Sequence, residues 1–281
     1  MTRSAILPEL LDLLACPVCA GPIDPVSPMT VGCFAGHRFD RSRHGYLTLL
    51  GARSRTDTGD DAPMVAARKR FLDTGHYRPI VDAVTAAAVG DGPVLELGSG
   101  TGHYLGAVLD AHADRVGIAL DSSKAAAREA VGVHPRLLSV VADAWARLPV
   151  RESAIATVLC VFAPREPAEI IRILEPAGRA VVVTPEPAHL SEVRDALGML
   201  QVDDGKAERL AAVPGWAVTD AVAVRFGFEL TADVAADLVR MGPAARHHTP
   251  EQTAAAVADL LGPGQALTVH GAVTVSVLTA R

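Results

Sequence analysis

The chain has 281 residues, 49% of them hydrophobic and 21% charged, with a formal net charge of −6. That length exceeds one average domain, and that apolar share can fill a buried core, which excludes a disordered or fibrous chain. No apolar run reaches the roughly 18 residues of a membrane span, and the N-terminus lacks the basic-then-apolar layout of an export signal, so the expectation is a soluble cytoplasmic protein with no membrane partner.

Residues 5–14 read as a short amphipathic lead-in. Three of the four cysteines then follow within 18 residues of one another, closed by a histidine, as Cys16-x2-Cys19 and Cys33-x3-His37. Each pair is followed by turn formers, Ala20-Gly21-Pro22 and Ala35-Gly36, so the backbone can curl round an ion. Four soft or borderline ligands on two tight turns suit tetrahedral zinc, and a closed four-ligand site is structural rather than catalytic. Cys16, Cys19, Cys33 and His37 are the expected ligands. Arg38–Leu50 reads as a hairpin strand closing this module.

The charge is uneven. Residues 1–80 carry 10 Lys/Arg against 8 Asp/Glu, whereas 81–281 carry 16 against 24. Arg41, Arg43, Arg53, Arg55, Arg68, Lys69 and Arg70 form a basic strip suited to RNA phosphates, with a solvated surface as the plain alternative. Gly51–Pro63 is polar and turn-rich, a linker or functional loop. Met64–Leu72 and Tyr77–Ala88 read as helices.

From residue 93 strands and helices alternate. Strands are expected at 93–97, 115–120, 137–141, 154–162 and 179–184, with helices at 103–113, 124–131 and 166–174 between them. This alternation implies an α/β fold with a parallel, doubly wound sheet. Helices are expected at His189–Gln201 and Thr249–Leu261. Val218–Leu230 and Ala266–Leu278 read as a late antiparallel strand pair. The expected divisions are a zinc-binding RNA-recognition module at 1–50, a linker with helices at 51–90, and the α/β domain at 91–281.

Where the first strand of the alternation meets its helix stands Glu96-Leu97-Gly98-Ser99-Gly100-Thr101-Gly102. Glycines let backbone pass close under a ligand. The dinucleotide pattern would need a third glycine at position 103, which is His103. The loop resembles instead the Glu/Asp-x-Gly-x-Gly-x-Gly loop of S-adenosylmethionine-dependent methyltransferases. Asp121, ending the second strand, can accept both ribose hydroxyls. Asp143, after the third strand, is placed to contact the adenine or to cap a helix. After the fourth strand stands Val161-Phe162-Ala163-Pro164, which is not the Asn/Asp-Pro-Pro-aromatic tetrad of exocyclic-amine methylation. Cys160 has no preceding proline and reads as core, so a ring nitrogen or an oxygen is left as acceptor.

The zinc quartet, Phe39-Asp40 with Gly45-Tyr46, Gly59-Asp60 with Met64-x3-Arg68, and Phe71-Leu72-x2-Gly75-His76-Tyr77-x-Pro79 occur in one order. The glycine loop, Ala163-Pro164 and Pro185-x3-His189-Leu190 follow. Over nearly its full length the chain therefore resembles the RlmA-type bacterial 23S rRNA guanine-N1 methyltransferases, most of all their actinobacterial, tylosin-resistance branch. The resemblance implies a zinc-ribbon module on a Rossmann-like class I domain. It implies methyl transfer from S-adenosylmethionine to guanine N1 in the hairpin 35 loop of 23S rRNA, resistance to tylosin-like macrolides, and a homodimer. By residue match it assigns donor contacts to Tyr77, Thr101, Gly102 and His189, beside Glu96, Gly98, Gly100, Asp121 and Asp143 from the loop and strand ends. Packing beneath a helix for Tyr77 and a helix cap for His189 are the plain alternatives. No catalytic base is assigned; Asp60 or Asp61 is a guess for the proton on N1. The competing reading is a small-molecule methyltransferase, acting on an antibiotic or quinone, with zinc stapling a lid.

Overall fold

The computed structural model describes residues 7–51, 54, 59–164, 166–203 and 205–281. Arg53 and Arg55, expected in the basic strip, lie outside the described residues. Helix α1 (Pro8–Asp12) leads into a three-stranded antiparallel meander of β1 (Asp24–Ser27), β2 (Thr30–Gly32) and β3 (Arg38–Asp40). The expected single hairpin strand over 38–50 is broken in two. A Ser42–Gly45 turn follows β3, and β4 (Leu47–Thr48) leaves the meander for the main sheet. Then come α2 (Ala62–Asp73), α3 (Arg78–Ala87), β5 (Val94–Leu97), α4 (His103–Ala111), β6 (Gly117–Asp121), α5 (Lys124–Ala130) and β7 (Leu137–Val141). They are followed by β8 (Ile155–Val161), α6 (Pro167–Ile173), β9 (Leu174–Pro185), α7 (Lys206–Ala211), β10 (Trp216–Leu230), α8 (Ala232–Arg240), α9 (Pro250–Leu260) and β11 (Leu267–Ala280).

The main sheet has the order β10-β11-β9-β8-β5-β6-β7-β4. Strands β4 to β9 pair in parallel, and β11 joins β9 and β10 antiparallel, as the two late apolar strands foretold. The central strands are buried on both faces; all four residues of β5 are buried, as a parallel strand under helices requires. From β5 the chain winds one way to β6 and β7, then crosses back to β8 and β9. That reversal opens a crevice at the carboxyl ends of β5 and β8, where open α/β sheets bind their ligands.

The N-terminal module does not stand apart. Leu47 pairs with Val140 and Thr48 with Val141, making β4 the edge strand of the sheet. Leu10, Leu11, Leu14, Leu47 and Leu49 are buried in one apolar cluster with Ile118, Leu138, Val140 and Val150. The amide of Ala15 also donates to the Pro149 carbonyl, and that of Arg151 to Leu13.

Two departures from expectation reshape the cavity wall. Residues 189–201 form successive turns instead of a helix. Leu190 (φ +55°) and Gly198 (φ +60°) are left-handed, and a helix cannot run through such residues. Helix α8 was not expected. Its signal was Thr231, whose hydroxyl accepts the amide of Val234, ahead of apolar Ala235, Leu238 and Val239 at helical spacing. Among the described residues no helix is long and apolar enough to cross a membrane.

Candidate functional site

The two cysteine turns close on each other. Cys16 N donates to the Gly21 carbonyl, and Cys33 N to that of His37, with Gly36 in the left-handed region at φ +89°. One ligand atom each from Cys16, Cys19, Cys33 and His37 lies within 4.8 Å of the others. Sulfurs tetrahedral about zinc at 2.3 Å stand about 3.8 Å apart; Cys19 and Cys33 Sγ are 3.6 Å apart, and His37 Nδ1 is 3.2 Å from Cys33 Sγ. Burial raises the Cys33 thiol, but hydrogen bonds from the His37 backbone, Cys19, the His37 ring and Cys16 outweigh it and bring it down to about 6. The set therefore offers a thiolate at neutral pH, which is the form that binds metal. Four protein ligands leave no open position, so the group these residues fit is structural zinc.

The second site is a cavity of about 430 Å³ at the crevice between β5 and β8. Gly98, Gly100 and Gly102 all take positive φ (+62°, +53°, +76°). A Cβ on Gly98 would stand 2.7 Å from that of Ala163, so this position has room for glycine alone. Glu96 is buried beneath the loop, where its Oε2 accepts the amide of Leu105 in the first turn of α4. Burial pushes its carboxyl up to about 8, so at neutral pH it is largely a neutral strut of the loop. Asp121 accepts the amides of Gly100 and Ser123, both at 2.8 Å, with one oxygen each. Each oxygen keeps a lone pair for a ligand hydroxyl. Burial raises this carboxyl above its ordinary value despite those two bonds. The Ser99 Oγ and Arg194 Nε, both on cavity-lining residues, are buried without a protein partner. A cradle closed to a Cβ, with unpartnered polar atoms round it, fits a polar ligand such as S-adenosylmethionine.

Tyr77, just before α3, and His189, after β9, meet at one wall, with Oη and Nε2 3.2 Å apart. His189 Nδ1 accepts the amide of Ala272 at 3.1 Å. Burial, helped by the Arg194 charge, holds the imidazole down to about 4, and burial also raises the Tyr77 phenol. Both side chains are therefore neutral near pH 7. Thr101 also lines the cavity. Asp143, two residues past β7, is buried and is not among the cavity-lining residues; its Oδ1 accepts the amide of Trp145 at 2.9 Å.

Sequence reasoning did not single out Trp145, Arg194, Met199 or Met241, yet all four line the cavity. Arg194 donates to the carbonyls of His189 (3.0 Å) and Pro187 (2.5 Å), which fixes the turns that replace the expected helix. Nothing in the local sequence marked it.

Three of the five described residues of the basic strip pair with acids. Arg68 turns inward, 2.5 Å from Asp60 and donating to the Met241 carbonyl. Lys69 pairs with Asp73 at 2.6 Å, and Arg70 grips both oxygens of Asp237. Arg41 donates to the Gly45 carbonyl, and Arg43 faces His44. The two guessed bases separate: Asp61 caps α2 through the amide of Met64, while Asp60 lines the cavity.

The family model for the RlmA N-terminal zinc ribbon matches residues 14–56. A 23S rRNA (guanine(748)-N(1))-methyltransferase of Streptomyces fradiae is 43% identical over 90% of this chain and 93% of its own length. A putative 23S rRNA (guanine-N(1)-)-methyltransferase of Micromonospora griseorubida is 41% identical, over 91% of this chain and 94% of its own. Among solved structures, a SAM-dependent methyltransferase from Thiobacillus denitrificans is 20% identical, with a TM-score of 0.46 over 72% of this chain and 90% of that one.

Proposed function

Since the chain belongs to the 23S rRNA (guanine-N1)-methyltransferase family, we propose that it methylates N1 of one guanine in the hairpin 35 loop of 23S rRNA. The target is the nucleotide equivalent to position 748, for which the Streptomyces fradiae relative is named. The enzyme depends on S-adenosylmethionine and carries zinc in its ribbon. When bound, the donor would supply an electrophilic methyl and leave as the neutral sulfide, while the proton that N1 carries would pass to water or to a cavity-lining carboxylate such as Asp60.

The chain's own groups position and exclude; none need act as a nucleophile. Gly98, Gly100, Thr101 and Gly102 bring backbone under the donor, and Glu96 braces their loop. Asp121 takes the ribose hydroxyls, Asp143 serves the adenine end by holding the turn at Trp145, and Tyr77 with His189 flanks the methionine end. The Cys16, Cys19, Cys33 and His37 ribbon, with Arg41, Arg43, Arg53 and Arg55, holds the rRNA hairpin. Because Arg68, Lys69 and Arg70 face Asp60, Asp73 and Asp237, their share in phosphate binding is the smaller one. The limits 1–50, 51–90 and 91–281 divide the chain by role, since β4 ties the first segment into the main sheet; a homodimer, cytoplasmic location and a contribution to tylosin resistance complete the proposal.

The observation that carries this reading is one chain joining a closed Cys3His cluster to a glycine-floored cavity at the sheet's switch point. Purified protein, labelled donor and unmethylated 23S rRNA are expected to yield 1-methylguanine at that one position, mapped by mass spectrometry. Label at another base, or only in small molecules of a cell extract, would overturn it.

A further inference from the structure

Phe162 stands at the carboxyl end of β8 in a conformation that its side chain disfavours. Its φ is +53°, where a bulky L-residue is a genuine outlier. Such strain persists only where the surroundings hold it, and they do so here. The Phe162 amide donates to the Val183 carbonyl, and the next residue, Ala163, is buried against Gly98. The outcome is a ring that lines the cavity yet is 42% exposed, rather than joining the core. Its centroid lies 6.3 Å from that of Tyr77 and 5.9 Å from that of His189.

Position along the sheet says which part of the cavity this ring serves. Asp121 ends β6, and the glycine loop leaves β5, one strand nearer to β8. A donor with its ribose on Asp121 and its methionine end at Tyr77 and His189 turns its sulfonium toward β8. Trp145, the other exposed aromatic of the cavity, follows β7. That strand is three steps from β8, or about 14 Å at the usual spacing, so the loop carrying Trp145 leaves from the adenosine side of the cavity. The Watson–Crick edge of a base reaches such a cavity only if the base leaves its stack, and aromatic side chains take over the lost stacking.

We infer that Phe162 is the platform on which the acceptor guanine stacks when it is drawn out of the RNA. This rests on the proposed rRNA guanine-N1 activity. The test uses the full-length protein with zinc retained, an unmethylated 23S rRNA fragment, and the variants F162A and F162W. Wild-type formation of 1-methylguanine settles the activity separately and leaves the platform to the variants. F162A is expected to lower kcat/KM for RNA about 10- to 100-fold, the usual loss when a stacking aromatic is removed. Donor Kd, measured by calorimetry, is expected to stay within about threefold, and F162W to keep most of the activity. An F162A enzyme within twofold of wild type, an equal loss of donor affinity, or an F162W enzyme as impaired as F162A would each overturn the inference.

Discussion

Tyr77 and His189, 112 residues apart in the chain, meet in the cavity through Oη and Nε2. Because His189 Nδ1 accepts the amide of Ala272, the neutral ring carries its proton on Nε2 and gives it to the phenol oxygen. The phenol proton is then turned toward whatever occupies the cavity. Y77F is therefore expected to weaken donor binding about 2- to 10-fold, one ordinary hydrogen bond, and to cost about 1 kcal/mol of stability by orphaning the imidazole N–H. Calorimetric titration and urea unfolding measure the two effects separately. Unchanged donor affinity would mean that the hydroxyl serves His189 alone.

The same histidine sets a pH dependence. Its folded value of about 4 lies below its ordinary value of 6.5, so the unfolded chain takes up a proton that the folded chain refuses. That contribution to stability is complete above pH 6.5 and is lost as pH falls toward 4. H189Q is expected to show a shallower decline than wild type between pH 6.5 and 4.5 in denaturant melts. Identical slopes would place the ring in contact with water.

Glu96 acts with the opposite sign. Its folded value of about 8 stands above the ordinary 4.5, so the folded chain keeps a proton that the unfolded chain gives up. The contribution is complete below pH 4.5 and is lost as pH rises through 8. Relative to wild type, E96Q is expected to gain stability steadily from pH 5 to pH 8.5. A constant difference across that range would show that the carboxyl is ionised throughout.

Gly98 and Gly132 both have positive φ, but only Gly98 faces a neighbour, the Ala163 methyl; a Cβ on Gly132 would meet nothing within 4 Å. G132A carries backbone strain alone, about 1 kcal/mol. G98A adds the clash and is expected to lose donor binding at least about tenfold beyond G132A. Equal affinity in the two variants would remove the loop from the donor site.

Removing a zinc ligand is expected to reach past the ribbon. C16S should lower the main melting transition as well as release the metal, because Cys16 sits in the same apolar cluster as β6 and β7 residues. Scanning calorimetry of wild type and C16S, each with its metal content measured, decides the point. An unchanged main transition beside a separate early one would show two independent folding units.

What the sequence made legible follows from local physics. The run Val94–Leu97, the glycines after it and Asp121 at the end of β6 announce themselves within a few residues, and the structure brings Glu96, Gly98, Gly100 and Asp121 to one cavity, while Gly102 faces Ala130 and Leu137. The Cys16–Cys19 and Cys33–His37 spacing likewise needs only two turns. What escaped depends on distant partners. Charge counting could not see that Arg70 would meet Asp237, 167 residues away. Apolar spacing over 189–201 suggested a helix, but the carbonyls of Pro187 and His189 are taken by Arg194 instead. The two-residue β4 is too short for any periodicity, and its place is set by a parallel partner in residues 140–141.

Strand β4 leaves the zinc meander and becomes the outermost strand of the main sheet, four strands from β8. Strands are spaced by backbone hydrogen bonds at about 4.8 Å, so this interval is close to 19 Å and cannot stretch. The sheet is in effect a ruler. On the proposed function, a hairpin gripped by the ribbon therefore meets the cavity at a fixed offset. A guanine in the same sequence context, displaced by a few nucleotides along the loop, would be held just as firmly and never reached.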